Sequence, residues 1–510
     1  MSSLKSIETA PAASKLRVPV GVIIAIACVA QFVLVLNTTI AAVALPEMHT
    51  ALGLSVDAQQ WVINGYLVTF GGFLLLAGRA GDLFGEKVVF RAGLVVFTLA
   101  SLAGGLAQSG GWLLAARIVQ GIGAAGMAPA SISLIVKSPI DDRRRTHALG
   151  LWSIAASAGG AAGLVLGGVL TSALSWRYVL YVNVPLGIAL LVASSIALLP
   201  STASRDWRRL DIPGAMTVTL GIGAAVYGLS DASASGWGSS TVITTLAAAV
   251  VLLGAFAVIE TRSPQPLVPF SIFRHRALSI ANILFATLGV SLTASIYFLS
   301  LYEEQILGYS AIRTGLSLVP MTALFVVGAL VARRLVPIYG PRMPIIVGAI
   351  ITTAGLAWLS RISVHSDYAA DVLGPTVLAG AGMSLMAVPI VTAATIGIEP
   401  RLAGLASGLV NMSRQVGGAI GLAVLVTIAA SVAHGSGLSP AAGVVHGYRT
   451  AFVITAAVSL ASAFIAALLP ARTKPAPAPA AATPTPDQTI SPRRHTSPDS
   501  HPSQRKATLK

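Results

Sequence analysis

Fourteen long apolar runs divide this sequence, and they decide what the chain can fold into before any motif is read. They occupy residues 18–45, 58–78, 88–107, 112–136, 147–171, 177–199, 212–231, 241–260, 278–301, 314–332, 343–360, 371–393, 404–430 and 448–469. About 20 apolar residues carry a helix across the hydrocarbon core of a bilayer. Backbone N–H and C=O groups must pair internally there, and runs of this length do so as helices. Charged residues make up 10% of the chain, against about 25% in a soluble domain. Too few charges remain to cover a water-facing surface, so the sequence predicts an all-α integral membrane protein. The first run follows Lys5, Lys15 and Arg17, but it is longer than the roughly 7–15-residue core of a signal peptide and lacks a cleavage site. It is read as a retained helix.

The loops test this count independently. With the N-terminus inside, alternate segments hold 27 of the 33 lysines and arginines. The opposite segments hold Arg177, Arg313, Arg361 and Arg449, while Arg117 and Arg414 fall within spans. Cytoplasmic loops collect basic residues, so the split places both termini inside. The net charge of +15 is then topological, and nucleic acid drops out as a partner. Residues 1–17 read as a cytoplasmic N-terminal segment. Residues 470–510, with prolines recurring from Pro475 to Pro502 among Ala, Thr and Ser, read as a disordered cytoplasmic tail.

Several function classes are disfavoured. No G-x-x-x-x-G-K-[ST] loop is present for ATP, no K⁺-channel filter is present, and none of the eight histidines sits in an H-x-x-x-H or H-E-x-x-H pair. A lone cysteine, Cys28, rules out intrachain disulfides. Secondary transport is the reading that survives: a multi-pass protein of the plasma membrane moving a small molecule, with no cofactor and an ion gradient as energy source. The chain is read as a monomer. The alternatives are import by symport and, far behind, a lipid-modifying enzyme built on His147, Asp141, Asp142 and Arg143–Arg145.

Charges within the spans are the functional candidates. An arginine in mid-membrane costs about 2.5–3.5 kcal/mol unless it finds a polar site, which singles out Arg117, with Gln120 one turn on, and Arg414. No acid lies deep in a span. Glu303 and Glu304, near the outer end of span 9, are the proton-site candidates, because adjacent carboxylates in a partly apolar site resist double ionisation. Between spans 2 and 3, Gly78 would let helices approach, Asp82 would cap or face a helix dipole, and Gly85 would permit a tight turn before Lys87. In span 5, Gly159, Gly163 and Gly167 recur every four residues beside Gly168, a pattern for close helix packing.

These segments together resemble the major facilitator superfamily, in its branch of fourteen-span drug:proton antiporters. Gly78-Arg-Ala-Gly-Asp82-Leu-Phe-Gly85-Glu-Lys87 is similar to the loop signature G-x-x-x-D-R-x-G-R-[RK], with Leu83 and Glu86 where basic residues are usual. Arg117-Ile-Val-Gln120-Gly121, Trp176–Gly187, Leu307–Ser310 and Asn411–Gly418 extend the likeness over residues 18–470. The resemblance implies a six-helix bundle over 18–199, two inserted helices over 200–277 and a second six-helix bundle over 278–469. It implies proton-linked export by alternating access. Arg117-x-x-Gln120-Gly121 and Arg414-Gln415-x-Gly417-Gly418 look like loosely corresponding features of the two halves.

Two departures stand out. The family's span-1 pattern, L-D-x-T-I-x-x-V-A-L-P, reads here Leu36-Asn37-Thr38-Thr39-Ile40, so an amide that cannot titrate replaces the acid. Leu164 replaces the proline of the span-5 antiporter motif. With Asn37 in that place, the cargo is expected to be neutral or anionic rather than dicationic.

Overall fold

The computed structural model describes residues 19–136, 138, 140–197, 210–264, 266–398 and 403–470. The expected cytoplasmic segment 1–17, the tail from 471, and Arg205, Arg208, Arg209 and Arg401 lie outside the described residues. No strand occurs among the described residues, and fourteen helices are long and apolar enough to cross a membrane. They are α1 (Val20–Val43), α2 (Val56–Phe84), α3 (Glu86–Gly105), α4 (Gly110–Val136), α5 (Asp142–Ala173), α6 (Tyr178–Ala197), α7 (Ile212–Ser235), α8 (Ser240–Arg262), α9 (Arg276–Gln305), α10 (Ala311–Tyr339), α11 (Arg342–Leu359), α12 (Tyr368–Thr395), α13 (Ala403–Gly435) and α14 (Pro440–Ala467).

Each apolar run contains one helix, but several helices outlast their run. α10 continues through Arg334 and Pro337, and α14 starts at Pro440 rather than near 448. Hydropathy ends where lipid contact ends, whereas a helix propagates as long as its backbone bonds close. Arg449 therefore belongs to α14 and not to a loop, and its Nε donates to the Ser360 carbonyl at 2.9 Å.

The helices form two sets with the same neighbour pattern. In α1–α6, α1 packs on α5, α2 and α3 on α4, and α3 on α6; in α9–α14, α9 packs on α13, α10 and α11 on α12, and α11 on α14. This is an internal structural repeat of the kind transporters use. The halves meet along two seams, α2 against α13 and α5 against α10. The repeat also corrects one reading of the sequence. α13 takes in the second half the place that α5 takes in the first, so Arg414 on α13 is not the counterpart of Arg117 on α4. The short polar motifs look alike, but helix order decides the correspondence.

Glycine makes these contacts close. Gly159, Gly163 and Gly167 lie against the α1 backbone at Phe32, Leu36 and Ile40, and Thr39 on α1 donates to the Gly160 carbonyl at 3.1 Å. Gly417 of α13 abuts Ala286 of α9 in the same manner. Gly168 serves a different contact: it meets the backbone of Ala311 and Ile312 on α10, across the seam, and Gly315 of α10 meets Leu164 in return. The inserted helix α7 packs on both α2 and α13. Trp61 and Tyr227 rings lie 6.1 Å apart, and Thr427 donates to the Leu229 carbonyl at 2.7 Å.

Candidate functional site

A buried polar cluster gathers around Arg117, which is 1% exposed and the largest fully buried side chain among the described residues. Its Nε donates to the Val62 carbonyl at 2.9 Å, and one terminal nitrogen donates to Gln120 Oε1 at 2.5 Å and Asn37 Oδ1 at 3.4 Å. The guanidinium carbon lies 4.6 Å from the centre of the Tyr66 ring. Arginine has only donors, so these contacts fix both amides: Gln120 and Asn37 must turn their oxygens toward Arg117. The Gln120 nitrogen then donates to Asn37 Oδ1 at 3.0 Å and to Ser101 at 2.7 Å, and Asn183 donates to Asn37 Oδ1 at 3.1 Å. α1, α4 and α6 thus meet at the Asn37 oxygen, while α2 and α3 join the same network through Val62 and Ser101.

The cluster holds a cation with neutral dipoles and a π face instead of a carboxylate. Arg117, Gln120 and Asn37 were candidates from sequence and are brought together. Asn183, Ser101 and Tyr66 were not singled out. Asn183 carried the only visible signal, an amide inside an otherwise apolar span. Replacing Asn37 with leucine removes the acceptor of three buried donors. The expected result is a loss of more than about 2 kcal/mol, read as a lowered melting temperature of the purified protein. Asn37→Asp should preserve the donor contacts and add affinity for the cation tetraphenylphosphonium, read by competition binding.

Glu303 and Glu304 form a second place, distinct from the Arg117 cluster. Glu303 is fully buried. One of its oxygens accepts from Ser317 of α10 and the other has no partner; a buried oxygen of Glu304 is likewise unpartnered. Tyr368 of α12 donates to the Ser317 carbonyl at 2.9 Å, and Tyr302 donates to the Ser363 carbonyl at 2.6 Å, closing α9, α10 and α12 around the acid. Arg313, stacked 3.7 Å over Tyr309, is within electrostatic reach of Glu303. Glu47, in the short helix Leu45–Leu52 after α1, is within reach of Glu304 from the first half. Burial pushes the Glu47 carboxyl above its ordinary value.

Two further buried acids were missed because they sit at helix ends. Asp211 caps α7 through the Gly214 N–H at 2.8 Å, and Glu260 of α8 accepts from the Val268 N–H at 3.1 Å. Both tie down loops.

At the hinge between α2 and α3, Gly85 adopts φ +91° and its N–H donates to the Gly81 carbonyl at 2.9 Å. That backbone region is costly for any residue with a Cβ. Gly78 has room to spare, since a Cβ there would meet Pro129 at an ordinary 3.9 Å, so close approach is not its role. Lys87 lies in the first turn of α3, and Glu86 accepts from Ser133 at 3.2 Å. The capping expected of the Asp82 side chain lies outside the described residues.

Arg414 stands eleven residues into α13, partly buried, its guanidinium carbon 5.9 Å from the centre of the Phe285 ring. It lies within electrostatic reach of Tyr66, as Arg117 does, so the two intramembrane arginines, one from each half, both act on that side chain.

Comparison with known proteins agrees with this architecture. The chain is 41% identical over 450 residues to the cephamycin export protein CmcT of Amycolatopsis lactamdurans, covering 88% of this chain and 92% of that one. It is 38% identical to the puromycin resistance protein pur8 of Streptomyces alboniger, over 88% and 91% of the two chains. In fold it is similar to the nucleoside transporter NupG, with a TM-score of 0.60 at 13% identity, covering 88% of this chain and all of that one. The model of the Major Facilitator Superfamily matches residues 27–422. With two six-helix sets, an inserted pair and this match, the chain belongs to the major facilitator superfamily of membrane transporters.

Proposed function

We propose that the protein exports an amphipathic organic compound, an antibiotic or comparable toxic metabolite, from the cell in exchange for protons. It does so as a single chain in the plasma membrane with both termini in the cytoplasm. The observation that carries this reading is the 41% identity to a cephamycin export protein along nearly the whole of both chains. Similarity to a puromycin resistance protein supports export over import. The rocking of two helical halves about a shared site supplies alternating access. One charge moved across 100 mV is worth about 2.3 kcal/mol, which sustains a gradient of roughly fiftyfold per proton.

With Asn37 unable to titrate, the proton falls to Glu303. It is buried, it has one oxygen free to take a proton, and its surroundings bring α9, α10 and α12 together. Protonated, Glu303 sits neutral in the closed bundle; on ionising, it favours water and thus an opened path at that end. Glu303→Gln fixes the neutral form. The expected result is efflux that no longer responds to a pH gradient, with cargo binding retained.

The reading as a whole is tested with inverted membrane vesicles, by accumulation of candidate antibiotics with and without an imposed pH gradient. Accumulation that needs the gradient is expected. Accumulation that ignores it would remove proton antiport.

A further inference from the structure

Proton exchange leaves Arg414 without a task. Among the described residues its guanidinium donates no hydrogen bond and forms no ion pair. It is only partly buried, so part of its side chain is left accessible. Arg117 is the opposite case, fully enclosed, with Val62, Gln120 and Asn37 already accepting from it. Arg414 is nevertheless close to the same centre. α13 lies directly on α2 at this level, where a Cβ at Gly71 would stand 3.1 Å from Gln415 Cβ and 3.4 Å from Val416.

The groups around Tyr66 are unbalanced in one direction. One guanidinium lies over the ring and a second, that of Arg414, is within its electrostatic reach, and among the described residues no carboxylate is paired with either. Asn37 Nδ2 is a fully buried donor without an acceptor, and the Tyr66 hydroxyl, beside Asn37 and Thr38, makes no hydrogen bond. The spare acceptors in this set are Asn183 Oδ1 and the Tyr66 oxygen, both neutral. Positive charge and spare donors held in a membrane interior are costly unless something negative completes them. Among the described residues no acidic side chain acts on Tyr66, Arg117 or Arg414.

We infer that the exported compound carries a carboxylate, and that Arg414 is the residue that takes hold of it between the two halves, an inference that rests on the export reading above. A guanidinium matches a carboxylate with two parallel hydrogen bonds, which an ammonium or an amide cannot reproduce. Arg414 belongs to the second half, whereas Asn37 and Tyr66 belong to the first. A carboxylate held by Arg414 therefore lies where the halves must separate during transport. The amphipathic body of the cargo rests against apolar surface, and its charge sets which compounds qualify.

The test uses the full-length protein in detergent and three fluorescent dansylamino-undecyl probes that differ only at the far end. One ends in a carboxylate, one in a carboxamide and one in a trimethylammonium group. The carboxylate is expected to bind about tenfold tighter than the other two. R414Q should erase that preference while leaving carboxamide binding unchanged, and R414K should restore part of it. Equal binding of the three probes, preference for the cation, binding of none, or a carboxylate preference that survives R414Q would each overturn the proposal. Loss of carboxamide binding in R414Q would mark a collapsed site. R414K then decides: a weakened carboxylate preference supports the assignment, and an undiminished one defeats it.

Inverted vesicles separate the two levels of the argument. Gradient-driven uptake of the carboxamide and the cation as fast as the carboxylate removes the anion site and leaves export standing. Arg414-dependent carboxylate binding without gradient-driven movement of any probe removes export and leaves the anion site.

Discussion

Arg117→Ala is expected to cut gradient-driven efflux by about a hundredfold, equivalent to about 2.8 kcal/mol, in protein that still reaches the membrane. The guanidinium organises three acceptors on three helices: the Val62 carbonyl on α2, Gln120 on α4 and Asn37 on α1. Alanine strips Gln120 Oε1 of its donor in a site closed to water, at about 1–3 kcal/mol for an unsatisfied group, and takes one of three donors from Asn37. The same change frees the Asn37 oxygen to turn toward other donors, so the junction of α1, α4 and α6 loses its single arrangement. Lysine keeps the charge but cannot reach several acceptors in a plane. Arg117→Lys is therefore expected to restore expression and melting temperature in part and transport hardly at all. Efflux assays on vesicles with matched protein levels check the first claim, and thermal melts check the second. Full transport by the lysine variant would show that charge alone suffices.

The second large effect concerns the seam between α5 and α10. Gly168 and Gly315 let two backbones touch there, and Ser172 accepts the Ile312 N–H at 3.3 Å. Gly315→Leu puts a branched side chain where the Leu164 carbonyl lies. Overpacking of this kind costs about 1–3 kcal/mol when the structure must absorb it, but here the halves can part instead. The expected result is a molecule held open at this end, with transport reduced more than about tenfold. Spin labels at Leu174 and Ser310, in a Cys28→Ser background, should move apart by about 3 Å, since helices with side chains at the contact pack about 8–10 Å apart. Gly163→Leu supplies the contrast. That glycine faces Leu36 and Thr39 of α1 within one half, where nothing can move aside. It should lower the melting temperature without changing the label distance. The same distance in wild type and Gly315→Leu would defeat the seam argument.

Much of this molecule could be read from the sequence because lipid imposes simple demands. Fourteen apolar runs give fourteen helices, and a polar residue inside one of them stands out. Arg117, Gln120 and Asn37 were visible for that reason. Their meeting was not, since it depends on which faces of α1, α4 and α6 turn inward, and glycines such as Gly163 and Gly187 fix those faces only after folding. Glu303 and Glu304 illustrate the same limit. They are neighbours in sequence but about 100° apart on a helix, so one is enclosed by Ser317 and Tyr368 while the other is less so. Adjacent letters gave no means of choosing between them. The likeness of the Arg117 and Arg414 motifs misled for the converse reason: a few shared residues weigh less than the order in which helices pack.

The inserted helix α7 has one more consequence. It lies along the seam of α2 and α13 and is tied to it by Thr427 and by the Trp61–Tyr227 pair, whereas the contacts of the α5–α10 seam involve neither α7 nor α8. The near twofold relation of the halves is thereby broken. The protein has a bound edge and a free edge, like the spine and fore-edge of a book. Motion that opens the free edge must shear α7 along the bound one, so the two extra helices set the stiffness of the stroke rather than its direction.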